Sequence, residues 1–427
     1  MKTLGSRFLI MTALLVGAAG CGEEAEPVEA DLEVLNQRLE ALVEAQGGAA
    51  ALTLPDSDDL AAIPQDPNNP LTFEKIELGK ILFHDARLGV KPKRGPGAGT
   101  YSCASCHAAE AGFQAGVKQG IGEGGVGLGA RRDKDPGYLA SELDVQPIRT
   151  PSAMNGAWQP NQLWNGQFGG THDNEGTEEA WIEGKPTEAN WLGFEGLETQ
   201  AIAGQDVHRL SVSEGAQSVV HDPEIVAMFE AAFPEVAEGE ALVTRERAGL
   251  AIAAYERALL SNRAPFQRWL RGERGAMDAA SLRGAALFFG EAGCAACHSG
   301  PALNSPKFYA LGMGDLDAEG TYGDGPDTTA RLGRGGFTKR LGDEYCFKVP
   351  QLYNLTDARF LGHGATFQSV REVIEYKNRA VPENPNVPVN KLSDRFVPLG
   401  LSQQEIDDLS TFVASALRDP ELRRYQP

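Results

Sequence analysis

Cys103-Ala104-Ser105-Cys106-His107, echoed at Cys294-Ala295-Ala296-Cys297-His298, decides how the rest of the chain is read. Two thiols two residues apart, followed directly by an imidazole, make a covalent attachment site for haem c. The sulfurs form thioethers at the porphyrin edge and the histidine ligates iron from one face. Half of a zinc site or a thioredoxin-like dithiol would use the same cysteines. A zinc ribbon, however, needs a second C-x-x-C close by, and a dithiol has no use for the trailing histidine. Two complete runs therefore imply two covalently bound haems c, fastened by Cys103, Cys106, Cys294 and Cys297, with His107 and His298 on the irons.

Working outward, each run is preceded by the same short pattern, G-x-x-L-F, at Gly79–Phe83 and at Gly284–Phe288. A helix followed by a haem run thus occurs twice, with a longer loop at 84–102 in the first copy, and two related haem domains follow. The helical signals are dense. Ile76, Lys80 and Phe83 share a face, and residues 245–260 repeat Ala and large apolar residues with helical period. Asp222-Pro223 opens a helix, and Ser369-x-x-Glu372 and Ser402-x-x-Glu405 are capping boxes, the second followed by Ile406, Leu409, Phe412 and Val413 on one face. No segment alternates like a sustained strand. The expected fold is mainly α, two cytochrome c-like haem domains with long loops, at 63–240 and 241–427.

With 427 residues, 42% of them apolar, the chain can bury more than one core. A net charge of -20 argues against nucleic acid as a partner and suits solubility or the steering of a cationic protein. At the start, Lys2 and Arg7 precede the apolar run Phe8–Val16 and the small residues Gly17–Gly20 before Cys21, the layout of an export signal at 1–21, too short to span a membrane. The ending resembles a lipoprotein cleavage site, so a periplasmic protein, lipid-anchored at Cys21, is expected. Of the six cysteines only Cys346 is then left over, beside Tyr345 and Phe347, which suits a buried, inert thiol. Residues 22–62 read as an acidic tether and a short packing helix carrying Leu32, Leu35, Leu39 and Leu42, and Ile63–Pro70 as an extended linker. Gly120–Gly129 contains a bare G-x-G-x-x-G, but no strand precedes it and no helix follows; it reads as a flexible surface loop, not a nucleotide site.

Between residues 60 and 420 the chain resembles the bacterial di-haem cytochrome c peroxidase and MauG superfamily. The resemblance is carried in the first half by Glu77–Phe83, Asp85–Leu88, Arg149-Thr-Pro-Ser152 and Leu163-Trp-Asn-Gly166. In the second half it is carried by Pro265–Leu270, Gly284–Phe288, Phe347-Lys-Val-Pro350 with Asn354, and Ser369–Val373. It implies an exported enzyme that reduces hydrogen peroxide with electrons from a small redox protein such as a cytochrome c. These enter at the C-terminal haem and pass by Trp164 to a peroxide-reactive N-terminal haem. A MauG-like oxidase that modifies aromatic residues of a partner protein, and a non-catalytic electron carrier, are the alternatives.

The family pocket uses a glutamine, here Gln200, and a glutamate whose stretch is replaced by Val207-His208-Arg209-Leu210, so His208 becomes the candidate proton-transfer group, with Arg209 stabilising developing charge. Residues 108–148 contain no histidine, so the family's capping ligand is missing and the first iron is expected to be open or water-bound. For the second iron the resemblance points to Tyr376, although an ungapped match falls on Lys377; Met313 and His363 are the other candidates. The asparagine of the family's calcium site falls on Arg149, whose guanidinium replaces the cation, and no calcium is expected there.

Overall fold

The computed structural model describes residues 26–215, 218–316, 321–322 and 328–427. The export leader and Cys21 lie outside them. Among the described residues no helix is long and apolar enough to cross a membrane.

The chain is mainly α. In order it forms α1 (Glu26–Glu44), α2 (Ala49–Leu52), α3 (Phe73–His84), α4 (Cys103–Cys106), α5 (Gly196–Val207), α6 (Pro223–Ala232), α7 (Arg245–Arg257), α8 (Pro265–Leu270), α9 (Ala279–Phe289), α10 (Thr328–Arg331), α11 (Arg334–Thr338), α12 (Val370–Arg379) and α13 (Gln403–Thr411). Two small antiparallel pairs, β1 (Gly125–Val126) with β2 (Asp133–Lys134) and β3 (Ser305–Tyr309) with β4 (Phe347–Val349), pin the long connections. The helices start where the side chains can cap them. Thr72 accepts from Lys75 N at 3.1 Å, Asp222 from Glu224 N at 3.1 Å, and Ser369 from Glu372 N at 3.2 Å.

Two apolar cores result, and G-x-x-L-F explains both. In α3 a Cβ on Gly79 would stand 1.9 Å from the Ala251 carbonyl oxygen of α7, and in α9 a Cβ on Gly284 would stand 2.0 Å from the Asp408 carbonyl of α13. Only glycine permits helices to cross this closely. The crossing in turn buries Leu82 and Phe83 in one core and Leu287 and Phe288 in the other, each side chain contributing about 1.5–3 kcal/mol. By packing, α7 is to the first core what α13 is to the second, although a boundary at 240/241 assigns it to the second half.

A buried ion pair fastens the first core. Arg257, 1% exposed, donates to both Glu198 oxygens at 2.8 and 2.7 Å, to Glu195 at 2.9 Å and to the Pro64 carbonyl at 3.0 Å, so the extended linker is tied to α5 and α7. The termini cross over. Leu39 and Val43 of α1 lie in the second core, where Asn36 accepts from Trp269 Nε1 at 2.7 Å, while Leu422 and Tyr425 lie in the first, where Tyr255 donates to the Tyr425 carbonyl at 2.8 Å.

Candidate haem-binding sites

The first run forms a single helical turn, α4, closed by Ser102 N donating to Ser105 Oγ at 3.0 Å and His107 N to the Cys103 carbonyl at 3.0 Å. The chain then doubles back through Gly112 and Phe113, both with positive φ, and brings the Phe113 carbonyl to 3.1 Å from His107 Nδ1. A carbonyl only accepts, so Nδ1 carries the hydrogen and Nε2 keeps the lone pair that a metal needs. The second run repeats this: Leu303 also has a positive φ, and His298 Nδ1 lies 3.1 Å from its carbonyl and 3.2 Å from that of Pro350. Burial pushes both imidazoles down to about 4, so they are neutral at physiological pH. Burial also pushes the Cys103, Cys106 and Cys294 thiols up to about 12, the opposite of what a reactive dithiol requires. Among the described residues no three His, Cys, Asp or Glu side chains converge to hold a metal ion. Cys346 is half-buried and its thiol is likewise raised by burial.

Around the second run lies a cavity of about 580 Å³, lined largely by apolar side chains, with Cys294, Cys297 and His298 on its wall. An apolar chamber with two thiols and an Nε2 lone pair fits a covalently held porphyrin. Trp164 lines the same cavity. Its Nε1 donates to the Arg149 carbonyl at 2.8 Å, and its ring meets His363 edge to face at 6.1 Å. The next residue, Thr150, leads toward the other run: a Cβ on Gly120 would stand 2.5 Å from Thr150 Oγ1 and 3.2 Å from Cys106 Sγ.

Gly120–Gly125 is therefore no flexible surface loop. Every residue of it is buried, and its missing Cβ atoms make room for Cys106, Asp144 and the Arg132 guanidinium. Arg132 donates to the carbonyls of Ile121 and Gly122.

Behind this turn sits His208, capping α5 at its C-terminus. Its Nδ1 lies 2.9 Å from Asp144 Oδ2, and Asp144 is 4% exposed. Burial alone would lower the His208 pKa, but the Asp144 charge and hydrogen bond outweigh it and raise it above 6.5. His208 is near enough to His107 to disfavour protonation there. Gln200 lies on the same helix at positions i, i+4, i+8 with Gly204 and His208, hence on one face, with the glycine leaving space between the two side chains. Arg209, expected to stabilise developing charge, is instead engaged by the buried Glu123 at 2.8 and 3.1 Å. Glu123 also accepts from the backbone of Lys93 and Arg94 at 2.8 and 2.9 Å, so it ties the 84–102 loop to the glycine turn and to Arg209.

At the second site Tyr376 does not stand where the sequence expectation puts it. The Tyr376 ring is buried against Phe367 and Phe396, with centroids 5.1 and 5.2 Å away, and its hydroxyl donates to the Leu311 carbonyl. It packs in the core and does not line the cavity, in contrast to the expected ligand position; Met313, His363 and Lys377 do line it. Arg149, 1% exposed, donates to Gln114 Oε1 at 2.9 Å and to the carbonyls of Thr150 and Ala115 at 2.9 and 2.7 Å, so the guanidinium satisfies oxygens in the region where the resemblance places a cation. Asp144 and Glu123 carry no sequence signal. They are polar residues in irregular chain, and only the fold brings them to His208 and Arg209.

Residues 73–275 match the family model described as di-haem cytochrome c peroxidase. The methylamine utilization protein MauG of Methylorubrum extorquens is 28% identical over 395 residues, covering 89% of this chain and 91% of that protein. A cytochrome-c peroxidase of Denitromonas iodatirespirans is 28% identical over 398 residues, covering 88% and 90%. Among solved structures, a MauG-like protein associated with microbial copper homeostasis superposes with a TM-score of 0.58 at 25% identity, over 86% of this chain and 95% of that one.

Proposed function

Because the chain belongs to the di-haem cytochrome c peroxidase and MauG superfamily and is a peroxidase-type oxidoreductase, we propose that it reduces hydrogen peroxide to water in the periplasm. A small redox protein such as a cytochrome c supplies the two electrons. When bound, the haems c supply the electron transfer and the cleavage of the peroxide O–O bond. The rest is the work of the chain. His107 and His298 hold the irons through Nε2, and the four cysteines fasten the porphyrins. Gln200 orients peroxide through its amide. His208 takes the proton from the inner oxygen and delivers it to the outer one, so that water leaves rather than hydroxide. Asp144 holds Nδ1, which makes Nε2 the working atom. Trp164 is the stepping site for electrons between the two halves. Its place on the cavity wall and its link through Arg149-Thr150 to Cys106 support that role.

The observation that carries this reading is the His208–Asp144 pair set behind the buried glycine turn that packs on Cys106. Steady-state turnover with hydrogen peroxide and a reduced cytochrome c is expected. No oxidation of the cytochrome by protein carrying both haems would overturn it. In the resting ferric protein, electron paramagnetic resonance is expected to show one high-spin and one low-spin haem, because 108–148 offers no capping histidine. Two fully low-spin signals would contradict an open first iron.

One observation favours a second reading, oxidation of aromatic residues in a partner protein: the likeness to MauG along 89% of the chain. A peroxide-dependent modification of a partner, with no cytochrome turnover, would select it.

A further inference from the structure

We propose that the side-chain amine of Lys377 is the distal axial ligand at the second haem. The proposal rests on the reading of Cys294–His298 as a haem attachment site.

The phase of α12 carries it. Val370, Val373, Ile374 and Lys377 follow one another at i, i+3, i+4 and i+7, and these four residues of the helix line the cavity that holds Cys294, Cys297 and His298. Lys377 is the one polar side chain on that stripe. Tyr376 precedes it by about 100° of helical rotation, which turns its ring into the core and leaves its hydroxyl bonded to the Leu311 carbonyl. Lys377 Nζ has no hydrogen bond or carboxylate partner among the described residues; it stands over the Phe396 ring, 5.8 Å from the centroid. An ammonium held in an apolar chamber without a counter-charge is costly. The neutral amine, its proton released to solvent, loses that penalty when its lone pair is shared with a metal.

Two rivals line the same wall. His363 is stacked on Phe347 at 3.6 Å and meets Trp164 edge to face, and its buried Nε2, 3.7 Å from Asp315 Oδ1, has no hydrogen-bond partner; it lies outside the α12 stripe. Met313 is a thioether on the same wall, and the test separates both.

The test uses full-length holoprotein whose content of two covalent haems is first established by mass and pyridine haemochrome. In the wild type, electron paramagnetic resonance and near-infrared magnetic circular dichroism are expected to show one low-spin haem with histidine and amine ligands. Lys377→Ala is expected to lose that signal and become high-spin at unchanged haem content. Lys377→Met should exchange it for a thioether signature, and Tyr376→Phe should leave it intact. A thioether, phenolate or bis-histidine signature in the wild type overturns the proposal, and so does a Lys377→Ala protein that keeps the wild-type signal. The wild-type spectra decide the matter even where a variant fails to fold. Protein with a single haem, absent from Cys294 and Cys297, overturns the attachment reading itself, an outcome distinct from a failure of Lys377.

Discussion

His208→Ala lowers kcat for hydrogen peroxide by about 10²–10⁴-fold, the range that a positioned proton-transfer group contributes. KM for peroxide and haem content stay close to wild type, because the residue acts on the proton rather than on the cofactor. The pH profile gives the sharper test. As the acceptor of the inner proton His208 works neutral, so activity rises with pH through its pKa, which the Asp144 carboxylate holds above 6.5. Asp144→Asn removes that charge and moves the acidic limb to lower pH. A profile unmoved in Asp144→Asn, or a His208→Ala enzyme with undiminished kcat, would remove His208 from the mechanism. The pair also sets a stability window. The raised His208 pKa stabilises fully below 6.5 and is lost as pH rises through the folded value. Burial opposes ionisation of Asp144, but His208 outweighs it and lowers the pKa below 3.8, so its contribution is present above that value and lost as pH falls through the folded one.

Glu198→Ala destabilises the protein by about 3 kcal/mol, toward the lower end of the 3–5 kcal/mol expected when one partner of a buried ion pair is removed. Glu198 is 0% exposed and takes two hydrogen bonds from Arg257, at 2.8 and 2.7 Å, and a third from Asn69 Nδ2 at 3.3 Å. Without it the guanidinium keeps Glu195, at 2.9 Å, and the Pro64 carbonyl, at 3.0 Å, which moderates the loss. Urea unfolding followed by circular dichroism reads this as a lowered midpoint at an unchanged slope. Replacing both partners, Glu198→Leu with Arg257→Met, costs less than Glu198→Ala alone, because the fully buried guanidinium is removed with its carboxylate, while Glu195, 17% exposed, keeps His172 at 3.3 Å. A single substitution costing under about 1 kcal/mol would mean that the pair behaves as a surface ion pair does.

Local pattern and distant packing were not equally legible in the sequence. Cys103–His107, Cys294–His298 and the paired G-x-x-L-F runs announce two haem units because their chemistry and spacing are local. Helix caps at Asp222, Ser369 and Ser402 were readable for the same reason. Gly120–Gly125 misled, because glycine signals flexibility when it frees the backbone and close contact when a neighbour occupies the space of its Cβ; composition is identical in the two cases. Tyr376 misled by a single position, since one residue in a helix swings a side chain from cavity to core. Asp144 was invisible: it is separated from His208 by 64 positions that hold no periodicity predicting their meeting.

The crossing of the termini also governs the order in which the molecule can be completed. Leu54 bonds to Gln267 across 213 residues and Tyr255 to Tyr425 across 170. A chain that emerges N-terminus first leaves α1 waiting for helices such as α8, whose Trp269 bonds to Asn36 across 233 residues. The first core, in turn, stays open until the last residues of the chain arrive. Completion of the two cores is therefore one late event rather than two successive ones, and a chain cut between them leaves both unfinished.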